Sequence, residues 1–390
     1  MNHRANSEGT NPQGPLFVVG IWRSGTSALY ALLNQHPQIA LLFEGDLRLL
    51  SSRFVTPQNP AKLLARWNFW NGAARRHRIG LDQLPNRICS VREAMDATYS
   101  EYAAQKDASI GGEKSPNYYD RLDHLASEFP EARFLIIWRN PMNVCASILS
   151  ARDACSWFAR KGMLLRGLLG FNRLKQQCDE LVRQGHRVHQ INYEDLVGDT
   201  ETVMRRICRF LDVPFDPRMT SLDGADVSAI YVEEHHSGVR RESIHLKPER
   251  TYLIPPEIRR KVKRYICEWK EAYAGVWPAY PFLITGNVAK PGKIEQVLDE
   301  IAYRALRVYD RSVHMLYGIA PLPLLGTYRS LKEWYHKTKS EKFPSSSEWL
   351  RGSWTNTVPP RAVGARSGFT MMSSKNLPSQ RPSRMHGSGD

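Results

Sequence analysis

Leu16-Phe17-Val18-Val19-Gly20-Ile21-Trp22-Arg23-Ser24-Gly25-Thr26-Ser27 is the stretch on which the fold turns. A short apolar block with β-branched residues stops at Gly20, and Ala28-Leu29-Tyr30-Ala31-Leu32-Leu33 follows, so the order reads strand, loop, helix. A Gly-rich loop in that setting can cradle an anion. The first-turn N–H groups of the helix have no intrahelical partner, point outward together and lie at the positive end of the macrodipole. A nucleoside triphosphate loop of the Walker A kind carries Lys directly after its second Gly. Here that position is Thr26, and the cation stands inside the loop as Arg23, so the site need not hold a metal-bound triphosphate.

Working outward, Phe134-Leu135-Ile136-Ile137-Trp138 is a second apolar run, followed by Arg139-Asn140-Pro141 and a helical stretch to Leu149. Pro141 suits a first helical turn, where its missing N–H costs nothing. A third strand is expected at Val188-His189-Gln190-Ile191-Asn192, before Tyr193-Glu194-Asp195. Strands separated by helical segments predict an α/β fold, a parallel sheet flanked by helices. Residues 61–106 and 155–185 read as helical insertions. Ile258, Val262, Tyr265, Ile266 and Trp269 fall at helical spacing, and Ile294–Leu316 is again amphipathic. The expected organisation is a mobile arm over 1–14, the main domain over 15–280, a helical extension over 281–340 and a disordered basic tail over 341–390.

The chain has 390 residues, 42% hydrophobic and 24% charged, ordinary globular usage. A net charge of +15 raises the local concentration of any polyanion, and charge alone does not choose among nucleic acid, anionic membrane and small acidic substrates. The clusters Arg75-Arg76, Arg240-Arg241 and Arg259-Arg260-Lys261 read as solvated faces. Cys89, Cys145, Cys155, Cys178, Cys208 and Cys267 are scattered, without zinc-ligand spacing, and are expected to be reduced thiols; no metal is expected. Met1–Pro15 lacks an apolar core of the signal-peptide kind, and no apolar run reaches about 18 residues. A cytoplasmic protein is expected. The apolar patch Leu316–Leu325, beside Arg329, Lys332 and Lys337, is either a packed segment or a peripheral membrane contact.

Arg23-Ser24-Gly25-Thr26-Ser27 resembles the 5′-phosphosulfate loop of the sulfotransferase superfamily that uses 3′-phosphoadenosine 5′-phosphosulfate (PAPS). Its Arg form is most similar to the tyrosylprotein sulfotransferase branch and related bacterial enzymes. The resemblance covers about residues 15–275 and implies the sulfotransferase variant of the P-loop-type parallel sheet. It also implies a second strand-to-helix junction that holds the 3′-phosphate through an Arg and a Ser. Arg139 and Ser147, eight positions on, match it, 116 positions after Arg23. A guanidinium can fork two N–H donors onto a phosphate, and a hydroxyl adds a neutral donor. A transferable sulfuryl group carries one negative charge fewer than a phosphoryl group, which lowers the need for Mg²⁺.

Sulfuryl transfer to a hydroxyl needs a base at the acceptor and positive charge at the departing phosphate. Glu44 lies eight residues after His36, the spacing at which the related enzymes carry their base, with Asp46 as the fallback; pairing of Glu44 with Arg48 on a surface helix is the bland alternative. The relatives carry a second acid directly before the base, where this chain has Phe43. Lys114, in Gly112-Glu113-Lys114-Ser115-Pro116, resembles the strand-end Lys that supports the leaving group, a task Arg23 would share, while the main chain of Ser24–Ser27 holds the 5′ end. Ser243 and Lys247 are the loose counterparts of the loop that closes over the nucleotide, and Tyr193 of a recurrent tyrosine-acid motif. Trp67, Trp70, Trp157 and Phe158 are either core or an acceptor platform. The implied partners are PAPS and a hydroxyl-bearing acceptor (carbohydrate, glycolipid, tyrosine or small alcohol), with no nucleic acid. The rival readings are a P-loop kinase-like nucleotide-binding protein and a basic membrane- or nucleic-acid-binding protein that uses the C-terminal region.

Overall fold

The structure, a computed structural model, describes residues 14–50, 71–80, 90–152, 162–230, 254–263 and 292–319, together with Leu64, Trp67, Asn68, Asp82, Leu84, Ile88, Phe158 and Val239. The apolar run at Leu16–Val19 forms β1, fully buried, and Thr26–Leu33 forms α1. Ile39–Phe43 (β2) follows, then Ala73–His77 (α2) and Val91–Gln105 (α3) from the first expected insertion. Ile110–Lys114 is β3, Leu122–Glu128 is α4, Arg133–Trp138 is β4 and Pro141–Ser150 is α5. Met163–Arg183 (α6) supplies the second insertion, and Arg187–Asn192 (β5) leads directly into Tyr193–Gly198 (α7) and Thr200–Leu211 (α8).

The five strands form one parallel sheet in the order β2-β3-β1-β4-β5. Since β1 is central and the chain crosses it between β3 and β4, the carboxyl ends of β1, β3 and β4 converge where open parallel sheets bind ligands. One face of the sheet packs Val18, Leu29, Leu32, Leu41, Leu135, Ile137, Met204 and Ile207 into a continuous core. Phe17 on the other face meets the rings of Tyr99, Tyr118, Phe129 and Phe134.

β2 and β3 are strands that the apolar-run pattern did not single out. β3 reads Ile-Gly-Gly-Glu-Lys, and its glycines are demanded by close approach: a Cβ on Gly112 would lie 2.0 Å from the Leu16 carbonyl oxygen, and one on Gly111 2.8 Å from that of Tyr99. The outer edge of β2 is met by side chains. Leu41 donates its N–H to Asn34 Oδ1 at 2.7 Å and accepts from Asn34 Nδ2 at 3.2 Å, while Phe43 N–H donates to His77 Nε2 at 2.9 Å.

Residues 256–263 are helical, with Ile258 and Val262 buried as their spacing predicts. Lys293–Ile319 forms α9, and its polar side faces the domain: Asp299 pairs with Lys261 at 2.7 Å, Arg307 with Asp120 at 2.6 Å, Glu300 with Arg173, and Tyr303 meets Tyr119 at 3.1 Å. Its apolar Ile294, Val297, Leu298, Ile301, Val308 and Tyr309 are exposed, the reverse of the packing that an amphipathic pattern ordinarily implies. No helix among the described residues is long and apolar enough to cross a membrane. The expected arm, basic tail and Pro321–Pro323 patch lie outside the described residues.

Candidate active site

The loop between β1 and α1 is shaped by two positive-φ residues, Arg23 at 69° and Gly25 at 99°. Gly25 caps α1 with no side-chain hydrogen bond, and the first turn of α1 carries no acid, so its N-terminus faces the loop without an anionic cap. Ser24 turns inward, fully buried, with its hydroxyl on the Ile21 carbonyl at 2.6 Å. Gly25 lies against the Tyr193 ring, where a Cβ would come within 2.2 Å of Cδ2. The tyrosine-acid motif therefore acts as a plug behind the loop.

The two expected cation sites are neighbours. Arg139 Nη1 donates to the main-chain carbonyl of Arg23 at 2.7 Å, and Arg23 Nε donates to Ser147 Oγ at 2.9 Å. Arg139 also lies over the Tyr193 ring at 4.4 Å, and burial holds its pKa below the ordinary guanidinium value. Its Nε is buried with no hydrogen-bond partner among the described residues, an orphaned donor that fits an anionic ligand. The start of α5 itself is already capped: Asn140 Oδ1 accepts from Met142 N at 2.9 Å, and Glu194 accepts the Asn140 N–H at 3.0 Å. With the helix start so occupied, the polar side chains left facing this second junction are those of Arg139 and Ser147. Phe158 packs beside Arg23, its ring 5.6 Å from the guanidinium carbon.

At the ends of β2 and β3, Lys114 Nζ donates to Glu44 Oε1 at 2.6 Å and to Ser27 Oγ at 3.4 Å, and lies 3.6 Å from the centre of the Phe43 ring. The lysine side chain is fully buried, and burial lowers its pKa against the opposing pull of Glu44. Glu44 is thus the partner of Lys114, while Arg48 pairs with Glu128 at 2.9 Å, which removes the surface-helix pairing of Glu44 with Arg48. Glu44 and Asp46 both hold positive φ, 49° and 56°, so the turn carrying them is strained at two non-glycine positions, at about 1–3 kcal/mol each.

Asp46 has a different set of partners. It is buried, accepting from Ser115 Oγ and from Asn117 Nδ2 at 2.8 Å, and its own N–H donates to Glu113 Oε2 at 2.9 Å. Asn117 in turn accepts from Trp22 Nε1 at 3.2 Å, which ties this cluster to the anion loop. Burial, then the neighbouring Glu44, pushes the Asp46 carboxyl up to about 6; burial, then Asp46, pushes that of Glu113 up to about 7. Glu113, Ser115, Asn117 and Trp22 were not singled out from sequence. Ser115-Pro116-Asn117 does carry a local signal, since Ser115 caps the 3-10 turn that it opens.

Trp67 is fully buried and donates from Nε1 to the Gly45 carbonyl at 2.6 Å, so it belongs to the core and not to an acceptor platform. Arg76 is likewise no solvated cation: it is half-buried and donates to the Phe43 carbonyl at 3.0 Å. Trp70, Trp157, Ser243 and Lys247 lie outside the described residues.

Fold and site together define an α/β protein that gathers cations and an uncapped helix start at the carboxyl ends of a parallel sheet. The model described as the sulfotransferase family matches residues 15–217, and the chain belongs to that family. It is 36% identical over 138 residues to nodulation protein NoeE of Sinorhizobium fredii, covering 34% of this chain and 30% of that protein. To protein-tyrosine sulfotransferase 1 of Danio rerio it is 27% identical over 206 residues, covering 52% of this chain and 54% of the relative. The chain therefore spans about a third of one relative and about half of the other. Among solved structures, the sulfotransferase domain of the Synechococcus PCC 7002 olefin synthase is similar, with a TM-score of 0.42 at 17% identity, covering 78% of this chain and 98% of that one.

Proposed function

We propose that this chain transfers a sulfuryl group from PAPS to a hydroxyl of an acceptor, with Glu44 as general base and Lys114 and Arg23 as the cations that receive the charge of the departing phosphate. The observation that carries the reading is the 2.6 Å contact between Lys114 and Glu44, with Lys114 also 3.4 Å from Ser27 at the start of α1. Acid–base and charge-stabilising groups then share one end of the sheet, where a reacting centre can touch both.

The acceptor hydroxyl gives its proton to Glu44 as its oxygen forms the new bond to sulfur. The bond from sulfur to the phosphate oxygen breaks in line on the opposite side, and the charge left on that oxygen meets Lys114, Arg23 and the first-turn N–H groups of α1. Lys114 is suited to this because it can leave Glu44 for the phosphate as charge moves. Arg139 and Ser147 would hold the 3′-phosphate. The donor set needs no metal for the charge it must balance. Support for PAPS as donor comes from membership of the family and from the loop and junction motifs at Arg23 and Arg139.

Incubation with labelled PAPS and a panel of carbohydrate, glycolipid, tyrosine-peptide and small-alcohol acceptors tests the proposal, with labelled product expected for one class. Glu44→Gln is expected to lower kcat by about 100-fold or more while leaving affinity for 3′-phosphoadenosine 5′-phosphate (PAP) within a few-fold of the parent, and Lys114→Ala to lower kcat as much while also weakening PAP, whose 5′-phosphate is the departing group. Tighter binding of ATP with Mg²⁺ than of PAP would instead favour a kinase-like nucleotide-binding protein, and full activity in both variants would remove the catalytic assignment.

A further inference from the structure

We propose that Arg76, seconded by His77, is a positioning residue that holds the Glu44 turn in its reactive shape, an inference that rests on the reading of Glu44 as the base. Neither side chain makes a described contact with the Glu44 carboxylate; both act on the main chain beside it. At Phe43, the last residue of β2, His77 Nε2 accepts the N–H at 2.9 Å and Arg76 Nη2 donates to the carbonyl at 3.0 Å. Two consecutive residues of α2 thus hold both main-chain polar groups of the residue that feeds the turn.

The grip extends one residue further. The Glu44 carbonyl accepts from Asn71 Nδ2 at 2.8 Å and lies 3.5 Å from Arg76 Nη2. Arg76 also donates to Asn71 Oδ1 at 3.2 Å and to the Asn71 carbonyl, which fixes the amide with its NH₂ end toward Glu44. From the other side Glu44 N–H donates to the Lys114 carbonyl at 2.8 Å. A non-glycine residue stays at a φ of 49° only where its surroundings over-determine it, and Arg76 is the side chain that reaches the Phe43 and Glu44 carbonyls as well as the Asn71 amide. Without it, Glu44 can relax to negative φ and swing its carboxylate away from Lys114. His77 suits the task because its acceptor nitrogen faces a fixed donor, and burial, then Arg76, holds its pKa down to about 3, so the ring stays neutral at working pH.

The test uses the full chain and the acceptor class found by labelled PAPS. Arg76→Ala is expected to lower kcat by about 100-fold, the scale of an ångström-sized misplacement, while the KM for PAPS and the affinity for PAP change less than about threefold. A cavity of about 480 Å³ lined by Arg76, His77, Tyr30 and Lys106 opens at this point, so guanidinium ion at tens of millimolar should restore part of the rate where equal urea or sodium does not. An unchanged kcat in Arg76→Ala overturns the proposal. So does a joint loss of kcat and PAP affinity, or a failure of guanidinium to restore activity, since either marks a residue that merely holds the fold. If Arg76→Ala does not fold, Arg76→Lys carries the decision, with lowered kcat at unchanged KM expected and parental kcat overturning it. Full activity in Glu44→Gln is a separate outcome that removes the base itself, whatever Arg76 shows.

Discussion

Arg139 donates its Nη1 hydrogen to the main-chain carbonyl of Arg23 at 2.7 Å, so a residue at the end of β4 holds the turn of the loop after β1. With Arg23 reaching Ser147 in return, the two strand-to-helix junctions form one basic surface, although 116 positions separate their arginines.

Arg139→Ala is therefore expected to weaken PAP binding by about 10–100-fold, the range for a charge-assisted hydrogen bond of about 1.5–3 kcal/mol. It should also erase the preference for PAP over adenosine 5′-monophosphate, which lacks the 3′-phosphate. Calorimetric titration of both nucleotides measures this, and an unchanged preference in the variant would place 3′-phosphate recognition elsewhere.

Stability should fall as pH rises through neutrality. Asp46 and Glu113 ionise near about 4 in an unfolded chain, and burial raises them to about 6 and about 7 in the folded one. Groups raised in this way contribute stability fully below about pH 4, and lose it as pH passes their folded values. Melting temperature is thus expected to drop between about pH 4 and 7, and Asp46→Asn to flatten that slope. The amide oxygen can still accept from Asn117, and the Ser115 hydroxyl can turn to accept from the amide NH₂. A rising melting temperature over the same window would contradict the assignment.

Gly25→Ala combines a φ of 99° with a Cβ placed 2.2 Å from the Tyr193 ring. A loss of about 2 kcal/mol or more in urea unfolding is expected. In a Tyr193→Ala background the clash is gone but the backbone strain stays, so Gly25→Ala should there cost less than in the parent, though not nothing. No cost in that background would show that the ring alone demands glycine.

What sequence made legible followed from local pattern. The apolar runs at Leu16 and Phe134, each closed by a Gly or Pro signal, located β1, β4 and the loops carrying Arg23 and Arg139. Of β3 only its end at Lys114 was legible, and its course stayed hidden because its identity depends on what surrounds it: Gly111 and Gly112 are there for neighbouring backbone, and Glu113 and Lys114 are charges buried in a sheet by partners far along the chain. Arg76 misled for the same reason. A basic pair at a helix end is usually solvated, and only the approach of α2 to β2 turns this one into a main-chain donor. The position of Asp46, two residues from Glu44, said nothing of its different partners, Ser115, Asn117 and Glu113, because alternation fails once positive φ interrupts the strand.

The carboxamide of Asn34 gives and takes one hydrogen bond at Leu41, as an adjoining strand would, while Ile39 N–H is met by the His36 carbonyl and Phe43 by α2. One of the two edge strands of the sheet, β2, thereby has the N–H groups of Ile39, Leu41 and Phe43 met from outside the ladder. On that border a second molecule finds little ladder to extend, so strand addition at β2, a usual hazard of a flat border of this kind, is opposed by a single amide and a short helix.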